Sequence, residues 1–231
     1  GTATGNMIIN VLSLFPSCFT SFLSESIPKI AIEREKITIN MIDIRDFSKN
    51  KQRQVDDYPY GGGSGMVIKA DPLISALEYI HQDRQVPVIY FTPQGRLLNQ
   101  KIVREYLPKE EITLLCGHYK EIDQRVRDYY VSDEISIGDF VLSGGELPTM
   151  VMIDALSRLQ EGVLNEIDSA LTDSHENGLL GCPHYTRPVD YRGMKVPDVL
   201  LSGNHKKIEQ WREKQSLEMT QNRRSDLLKN E

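Results

Sequence analysis

Three short segments that combine glycine with polar residues are the part of the sequence best suited to ligand chemistry. They are Thr92-Pro93-Gln94-Gly95, Gly117-His118-Tyr119 and the run from Gly138 to Glu146. Each follows an apolar run with the composition of a β-strand, and glycine lets the backbone approach a ligand closely. Together, three such loops could offer backbone donors and acceptors to the edge of an adenine ring. Any one of them alone is more typical of an ordinary tight turn.

The elements around these segments predict an α/β fold with a parallel sheet covered by helices on both faces, because strand-like and helix-like stretches alternate between Met7 and about residue 160. Ligands of such folds bind beyond the carboxyl ends of the strands, so we expect the three loops to meet at one edge of the sheet. The candidate strands are Ile8–Leu14, Ile37–Ile44, Val86–Phe91, Ile112–Cys116 and Val131–Ile137. The candidate helices are Ser17–Ser26, Asp71–His81, Asn99–Leu107, Ile122–Tyr129 and Glu146–Leu159.

The last quarter of the chain has a different organisation. The polar stretch from Asn165 to Gly178 predicts a linker that becomes ordered when a partner binds. From Asn204 to about Met219, Ile208 and Trp211 lie on one side of a helical pattern, which indicates a small C-terminal helical domain. We therefore predict a non-native leader at residues 1–6, an α/β domain at 7–164, a linker at 165–181 and a C-terminal domain at 182–231.

Several motifs of other protein classes are absent from the sequence. The glycine run from Tyr60 to Met66 lacks the Lys-Ser or Lys-Thr of a phosphate-binding loop, and neither a G-x-G-x-x-G pattern nor a G-x-S-x-G elbow occurs. Cys18, Cys116 and Cys182 are too few and too widely spaced for a disulfide framework or a C-x-x-C metal site. We therefore expect no metal and a reducing, cytoplasmic location.

The charge balance narrows the class of partner. A net charge of −6 disfavours a protein that coats nucleic acid non-specifically, because that mode relies on a basic surface. It is compatible with a shaped pocket for one RNA. No apolar run approaches the roughly 20 residues that span a bilayer, so no membrane role is expected. Basic residues that could be either a phosphate-binding surface or ordinary solvated charge are Lys206, Lys207, Arg212, Lys214, Arg223, Arg224 and Lys229.

Several segments, taken together, resemble one family. The segments that carry the resemblance are VDDYPYGGGSGM (55–66), TPQGR (92–96), CGHY (116–119), IDQRV (122–126), IGDFVLSGGELP (137–148), CPHYTRP (182–188) and VLLSGNH (199–205). Through these segments, the chain from Met7 to about Leu228 resembles the bacterial tRNA (guanine-N(1)-)-methyltransferases of the SPOUT superfamily, which methylate the guanine immediately 3′ of the anticodon.

The resemblance implies a deep trefoil knot in the N-terminal α/β domain, with S-adenosyl-L-methionine bound in the knot. It also implies a cytoplasmic homodimer that acts on tRNA through active sites shared between the subunits. By matching position, the implied cofactor contacts are Tyr90, Phe91, Thr92, Pro93, Gln94, Gly95, Gly117, Tyr119, Ile137, Gly138, Asp139, Phe140, Val141, Leu142, Gly144 and Gly145.

Two catalytic residues are implied by the same resemblance. Asp173 matches the family's general base, and Arg158 matches the arginine that stabilises negative charge developing on the guanine oxygen. Taken alone, Asp173 could instead cap a helix that begins near Ser174. Arg158 follows Asp154 by four residues, a spacing that by itself favours an ordinary helical ion pair.

The chain departs from the family pattern at two acidic positions near the methionine end of the cofactor. Lys120 stands where relatives often have glutamate, and Gly181 stands where many have an acidic residue. Glu121 is the neighbouring carboxylate that could replace the first. Two other functions stay open at this point: a SPOUT methyltransferase with a different RNA target, such as a ribose, or a catalytically silent RNA-binding relative.

Overall fold

The structure, a computed structural model, describes residues 5–118, 121–164 and 173–229. The chain divides into two compact units, Gly1–Asn165 and Glu166–Glu231. Part of the linker predicted at 165–181 lies outside the described residues, so the domain limits at 164 and 181 stay predictions. Among the described residues, no helix is both long and apolar enough to span a bilayer.

The first unit alternates strands and helices along the chain. Its strands are β1 (Met7–Ser13), β2 (Ile37–Asp43), β3 (Asp56–Asp57), β4 (Val67–Ile68), β5 (Val88–Leu97), β6 (Glu111–Leu115), β7 (Glu121–Ile122) and β8 (Asp133–Ser136). Its α-helices are α1 (Thr20–Leu23), α2 (Ser26–Glu33), α3 (Ala70–His81), α4 (Gln100–Tyr106), α5 (Gln124–Tyr129) and α6 (Glu146–Leu159). Short 3₁₀ turns span Pro16–Phe19 and Ile44–Phe47.

The central sheet has five strands in the order β2-β1-β6-β5-β8, and all its pairs are parallel. Side chains alternate across it, as the period of a strand requires. In β1, Ile9 and Val11 pack with α2, α4 and α6, whereas Leu12 and the following Leu14 pack with α3 and α5 on the opposite face. The prediction of an α/β fold with a parallel sheet and helices on both faces is therefore confirmed.

One helix prediction is wrong. In place of a helix over Ser17–Ser26, the chain forms the 3₁₀ turn, the short α1 and then α2, which begins at Ser26. The backbone of Ser26 has a φ of 53°, a left-handed conformation that interrupts a right-handed helix between α1 and α2. Pro28 lies in the first turn of α2, where a missing N–H costs no helical hydrogen bond.

A second, smaller sheet could not be foreseen from periodicity, because its strands have two residues each. β3 pairs antiparallel with β4, and β4 pairs parallel with β7. The glycine run at 61–65 is the connection between β3 and β4. Ile68 and Ile122 are fully buried in the core, so this small sheet holds Glu121, the residue before Ile122, beside the carboxyl edge of the main sheet.

The second unit contains a β-hairpin of β9 (Asp190–Tyr191) and β10 (Met194–Lys195), a short α7 (Asp198–Leu201) and a long α8 (His205–Arg223). The helix predicted from Asn204 is present and runs about four residues further than expected. Asn204 caps it, because its side-chain oxygen accepts a hydrogen bond from the backbone N–H of Lys207 at 3.2 Å.

Candidate functional site

A cavity of about 220 Å³ lies at the carboxyl edge of the main sheet, where the three glycine-bearing segments meet. Its walls come from the second half of β5, the loop after β6 and the loop between β8 and α6. Of the residues that the sequence implies for cofactor binding, those that line it are Tyr90, Phe91, Thr92, Pro93, Gln94, Gly117, Ile137, Gly138, Phe140, Val141, Leu142, Gly144 and Gly145.

Three implied cofactor residues differ from this group. Gly95 and Asp139 do not line the cavity, and Tyr119 lies outside the described residues. Residues that line the cavity but were not implied are His118, Glu121, Ile135, Ser136, Ser143 and Pro148. Their positions beside the glycine loops were a usable signal for all of them except Glu121, whose place depends on the small sheet.

The β5 wall of the cavity is a bulge in the strand, so the prediction that β5 ends at Phe91 is wrong. Phe91 and Arg96 both pair with Ile135 of β8, and the four residues between them leave the ladder. Thr92, Pro93 and Gln94 are thereby presented to the cavity. At Gly95 the chain returns so close to β8 that an added Cβ would lie 2.4 Å from the backbone nitrogen of Ile135.

The other two loops are tied directly to each other. The N–H of Gly145 donates to the carbonyl of Gly117 at 2.9 Å, and His118 and Gly144 form an isolated antiparallel bridge. An added Cβ on Gly145 would lie 2.9 Å from the Cα of Cys116, so this approach also requires glycine. The cavity is therefore bounded by backbone whose positions are set by hydrogen bonds, which suits recognition of a ligand's polar edge.

Glu121 brings a negative charge to the cavity. The phenol of Tyr90 donates a hydrogen bond to one of its oxygens, and the other lies 3.6 Å from the guanidinium of Arg127. Arg127 is shared with Glu134, to which it donates at 2.6 Å, and its guanidinium lies 5.4 Å from the centre of the Tyr90 ring. One arginine thus faces two carboxylates, which leaves the cluster with a net negative charge.

The protonation states of this cluster follow from burial and from these partners. Burial, followed by the hydrogen bond to Glu121, raises the pKa of Tyr90 far above its ordinary value, so the phenol keeps its proton and acts as donor. The hydrogen bond with Glu134 raises the pKa of Arg127. The side chain of Glu121 remains 30% exposed, so a ligand in the cavity can reach it.

A second carboxylate lies beneath the loop from Gly138 to Gly145. Glu146, the first residue of α6, is buried and accepts a hydrogen bond from the Ser13 hydroxyl at 3.2 Å. Burial raises the pKa of this carboxyl. An added Cβ on Gly144 would lie 2.7 Å from its second oxygen. Glu146 therefore supports the loop from below, and it does not line the cavity.

Arg158, the implied catalytic arginine, lies elsewhere on the first unit. It lines a cavity of about 470 Å³ on the exposed side of α6, together with Asp154, Leu147 and Val151. Leu147 is 59% exposed and Val151 is 45% exposed. Within one chain, Arg158 is thus absent from the residues that line the glycine-bounded cavity.

Asp173, the implied general base, belongs to the second unit. Its carbonyl accepts a hydrogen bond from the N–H of Glu176 at 3.3 Å, and the residues from Ser174 to Glu176 form a turn. This turn replaces the helix that Asp173 could have capped. The catalytic roles of Asp173 and Arg158 stay predictions.

Within residues 5–118, 121–164 and 173–229, no group of three or more His, Cys, Asp or Glu side chains is arranged to hold a metal ion. Cys18 is exposed, Cys116 is buried and Cys182 is partly buried, all three as free thiols.

Comparison with known proteins places the chain in a family. Residues 7–230 match the family described as tRNA (Guanine-1)-methyltransferase TrmD. Three relatives bear the name tRNA (guanine-N(1)-)-methyltransferase. The protein of Clostridioides difficile is 50% identical over 96% of this chain and 98% of its own length. That of Caldanaerobacter subterraneus subsp. tengcongensis is 54% identical over 96% and 92%, and that of Listeria monocytogenes is 48% identical over 97% and 93%. The chain therefore belongs to the tRNA (guanine-1)-methyltransferase family.

Proposed function

We propose that this protein methylates ring N1 of the guanine immediately 3′ of the anticodon in tRNA, with S-adenosyl-L-methionine as the methyl donor. Membership of the tRNA (guanine-1)-methyltransferase family is the observation that carries this proposal. The reaction belongs in the cytoplasm, where tRNA is processed.

The glycine-bounded cavity suits this donor in three respects. Backbone N–H and C=O groups of the loop from Ile137 to Gly145 can meet the hydrogen-bonding edge of an adenine. Phe140 and Leu142, which are 52% and 37% exposed, offer apolar surface to its ring faces. Glu121 offers a carboxylate to the ammonium group of the methionine end, in place of the acidic residue that Lys120 replaces here.

In this reaction the protein has to remove a proton from the guanine and stabilise the negative charge that then develops on it. When bound, S-adenosyl-L-methionine supplies a methyl group that its sulfonium already activates for transfer. The guanine N1 carries a proton and is a poor nucleophile until that proton is removed. Asp173 takes this proton as general base, which is typically worth about 10²–10⁴-fold in rate. Arg158 stabilises the negative charge that develops on the exocyclic oxygen of the guanine.

The target base has to leave the stacked anticodon loop to reach a methyl donor held in a cavity. We propose that the polar segment at 165–181 lies over the extruded base and carries Asp173 to it. The C-terminal helical domain at 182–231 then holds the tRNA through the basic side chains of its helices. Of residues 165–181, only 173–181 lie within the described part of the chain.

We also propose a homodimer with active sites shared between subunits. The exposed side of α6 supports it, because Leu147 and Val151 form an apolar surface next to Arg158. Pairing of two copies through this surface would bring Arg158 into an interface. The trefoil knot is proposed for the same domain because the chain belongs to this family.

Methyl transfer to a defined tRNA transcript tests the function. Purified protein is incubated with S-adenosyl-L-methionine and a transcript with guanine after the anticodon, and a second transcript carries adenine there. We expect 1-methylguanosine from the first and no methylated nucleoside from the second. A methylated ribose would indicate a different SPOUT reaction. Failure to bind S-adenosyl-L-methionine in calorimetry would leave only a silent RNA-binding relative.

A further inference from the structure

The second unit contains a cavity that the reaction above does not use. It has a volume of about 370 Å³ and is open to solvent. Its polar lining includes Tyr185, Arg187 and Arg212, and its apolar lining includes Val189, Leu200 and Ile208. All of these residues belong to one unit, so the cavity is complete within it.

The charge in this cavity is positive and uncompensated. No aspartate or glutamate lines it. Arg187 and Arg212 make no hydrogen bond or ion pair with another residue in the described part of the chain. Several other arginines are paired, such as Arg96 with Asp133 at 2.7 Å and Arg224 with Asp226 at 2.7 Å. Two unpaired guanidinium groups that share one cavity are arranged for an anion from outside the chain.

The backbone holds these groups in place. Arg187 precedes the β9–β10 hairpin, whose base is closed by a hydrogen bond from the N–H of Val196 to the carbonyl of Val189 at 2.9 Å. Arg212 follows Ile208 by four residues in α8, so both project from the same side of that helix. Val189, at the base of the hairpin, and Ile208 of α8 belong to the apolar lining of the cavity. Arg187 and Arg212 therefore reach the cavity from these two separate elements.

The surrounding chemistry indicates which anion fits. Guanidinium groups bind phosphate oxygens in a planar, two-pronged geometry. The ring of Tyr185, which is 52% exposed, offers a face on which a base can stack. Residues 182–231 contain ten Lys and Arg against seven Asp and Glu, a balance of +3 within a chain of net charge −6.

We propose that this cavity is a binding site for one phosphodiester of the tRNA backbone, held between Arg187 and Arg212, with an adjacent base stacked on Tyr185. The proposal rests on the proposed function and adds the location of one contact. It separates two arginines with a defined role from the diffuse basic charge of the C-terminal region.

Binding of the tRNA transcript to three single variants of the full chain tests the site. Arg187→Gln and Arg212→Gln remove the two proposed contacts, and Arg192→Gln is the matched control, an arginine of the β9–β10 turn in the same unit that does not line the cavity. Affinity is measured by fluorescence anisotropy from 50 to 200 mM salt. We expect each cavity variant to bind about 3–10-fold more weakly and to lose about one unit of the salt slope, while the control stays close to wild type.

Two further measurements separate the possible failures. Calorimetric binding of S-adenosyl-L-methionine should match wild type in every variant, because the cavity belongs to the second unit. Thermal unfolding should match wild type in the arginine variants, because neither Arg187 nor Arg212 makes a hydrogen bond or ion pair within the described part of the chain. Tyr185→Phe should keep tRNA affinity, whereas Tyr185→Ala should lower it about tenfold. If the three arginine variants lose affinity equally, or the cavity variants lose none, the site is wrong while the methyltransferase proposal stands. If wild type neither binds nor methylates tRNA, both proposals fall together.

Discussion

The side chain of Glu121 is positioned in the glycine-bounded cavity by its contacts with Tyr90 and Arg127. Its charge is reduced by a hydrogen bond from Tyr90 and by Arg127, yet Arg127 is also engaged by Glu134. Among the described residues that line the glycine-bounded cavity, Glu121 is the one that carries a carboxylate. A cationic ligand group in this cavity would therefore meet a negative charge held in a fixed orientation.

We predict that Glu121→Gln weakens binding of S-adenosyl-L-methionine and S-adenosylhomocysteine to the same extent, by about 10–100-fold. Both ligands carry the ammonium of the methionine end, and a hydrogen bond to a charged group contributes about 1.5–3 kcal/mol. 5′-Methylthioadenosine lacks that end and should bind as it does to wild type. Calorimetry of the three ligands makes the measurement.

Glu134→Gln is the matched control for this prediction. This variant removes the other carboxylate that contacts Arg127, and Glu134 does not line the cavity. Ligand affinity should change little in this variant. Equal losses in both variants would mean that the cluster matters only through the position of Arg127. A loss for S-adenosyl-L-methionine alone would mean that Glu121 responds to the sulfonium.

The two implied catalytic residues have separable signatures. Asp173→Asn keeps the shape of the side chain but cannot accept the N1 proton, so the turnover number should fall about 10²–10⁴-fold with unchanged cofactor affinity.

Arg158→Ala should also lower the turnover number rather than the cofactor affinity, and Arg158→Lys, which keeps the charge, should recover part of the lost turnover. Single-turnover methyl transfer measures both. Near-wild-type turnover in either alanine or asparagine variant would remove that residue from the mechanism.

At the scale of elements, the cavity depends on one irregularity in a regular sheet. β5 and β8 pair on both sides of a bulge that releases Thr92, Pro93 and Gln94 toward the ligand site. The chain can rejoin the ladder only because Gly95 has no side chain at its contact with the Ile135 backbone. A residue outside the lining thus controls the shape of the wall.

Gly95→Ala is predicted to destabilise the first unit and to weaken cofactor binding. A Cβ placed 2.4 Å from a backbone nitrogen cannot be relieved by turning a flexible side chain, so one of the two strands must shift. Overpacking of this kind costs about 1–3 kcal/mol, and each kcal/mol lowers the melting temperature by about 2–4 °C in a protein of this size. Thermal unfolding with and without S-adenosyl-L-methionine measures the effect.

Gly5→Ala provides the comparison, since an added Cβ there meets no atom within 4 Å. Its melting temperature should equal that of wild type. An unchanged melting temperature and cofactor affinity in Gly95→Ala would show that β5 and β8 tolerate a wider separation at the bulge than the structure indicates.

The elements that could be predicted are those with a repeating pattern. Four strands of the main sheet and the helix Glu146–Leu159 have an apolar pattern over several residues, and their predicted ends lie within two residues of the observed ends. The fifth strand, β5, continues to Leu97, six residues beyond its predicted end. β3, β4 and β7 have two residues each and contain no period, so their pairing follows from tertiary contacts alone. The location of Glu121 beside the cavity could not be predicted for that reason.

The glycine loops of the site could likewise be predicted in part only: their location followed from the sequence, and their exact backbone course did not. Strand ends and glycine indicated where the cavity would form, because parallel strands deliver their carboxyl ends to one edge. The bulge after Phe91 could not be foreseen, since the sequence contains no mark of where β5 rejoins β8. The family resemblance supplied residue roles for Asp173 and Arg158 that neither a turn nor a helical ion-pair spacing would suggest.

Across the whole molecule, acidic and basic residues are unevenly distributed between the two parts of the chain. Residues 1–181 contain 17 Lys and Arg against 26 Asp and Glu, and residues 182–231 contain ten against seven. The acidic first part would suit the proposed methyl donor, which carries positive charge, and the basic second part would suit a polyanion such as tRNA. An acidic chain can in this way bind RNA at a defined place without binding it everywhere.

The exposed apolar face of α6 predicts the oligomeric state of the protein. Leu147 and Val151 lie one turn apart and are 59% and 45% exposed in the single chain, whereas Met152 and Leu156 on the other side are fully buried. Burying such a face against a second copy would stabilise a dimer by about 25 cal/mol per Å² of apolar surface removed from water. We therefore expect Leu147→Glu with Val151→Glu to convert a dimer to a monomer in sedimentation velocity.

The same variant tests whether the active site is shared. Arg158 lines the cavity beside these two side chains, so separation of the copies should abolish methyl transfer even though each chain stays folded. Tyr129→Glu is the control, because Tyr129 is 81% exposed on α5 and takes no part in the α6 face. It should remain dimeric and active. A monomeric wild type, or a monomeric double variant that methylates tRNA at the wild-type rate, would mean that one chain completes the site alone.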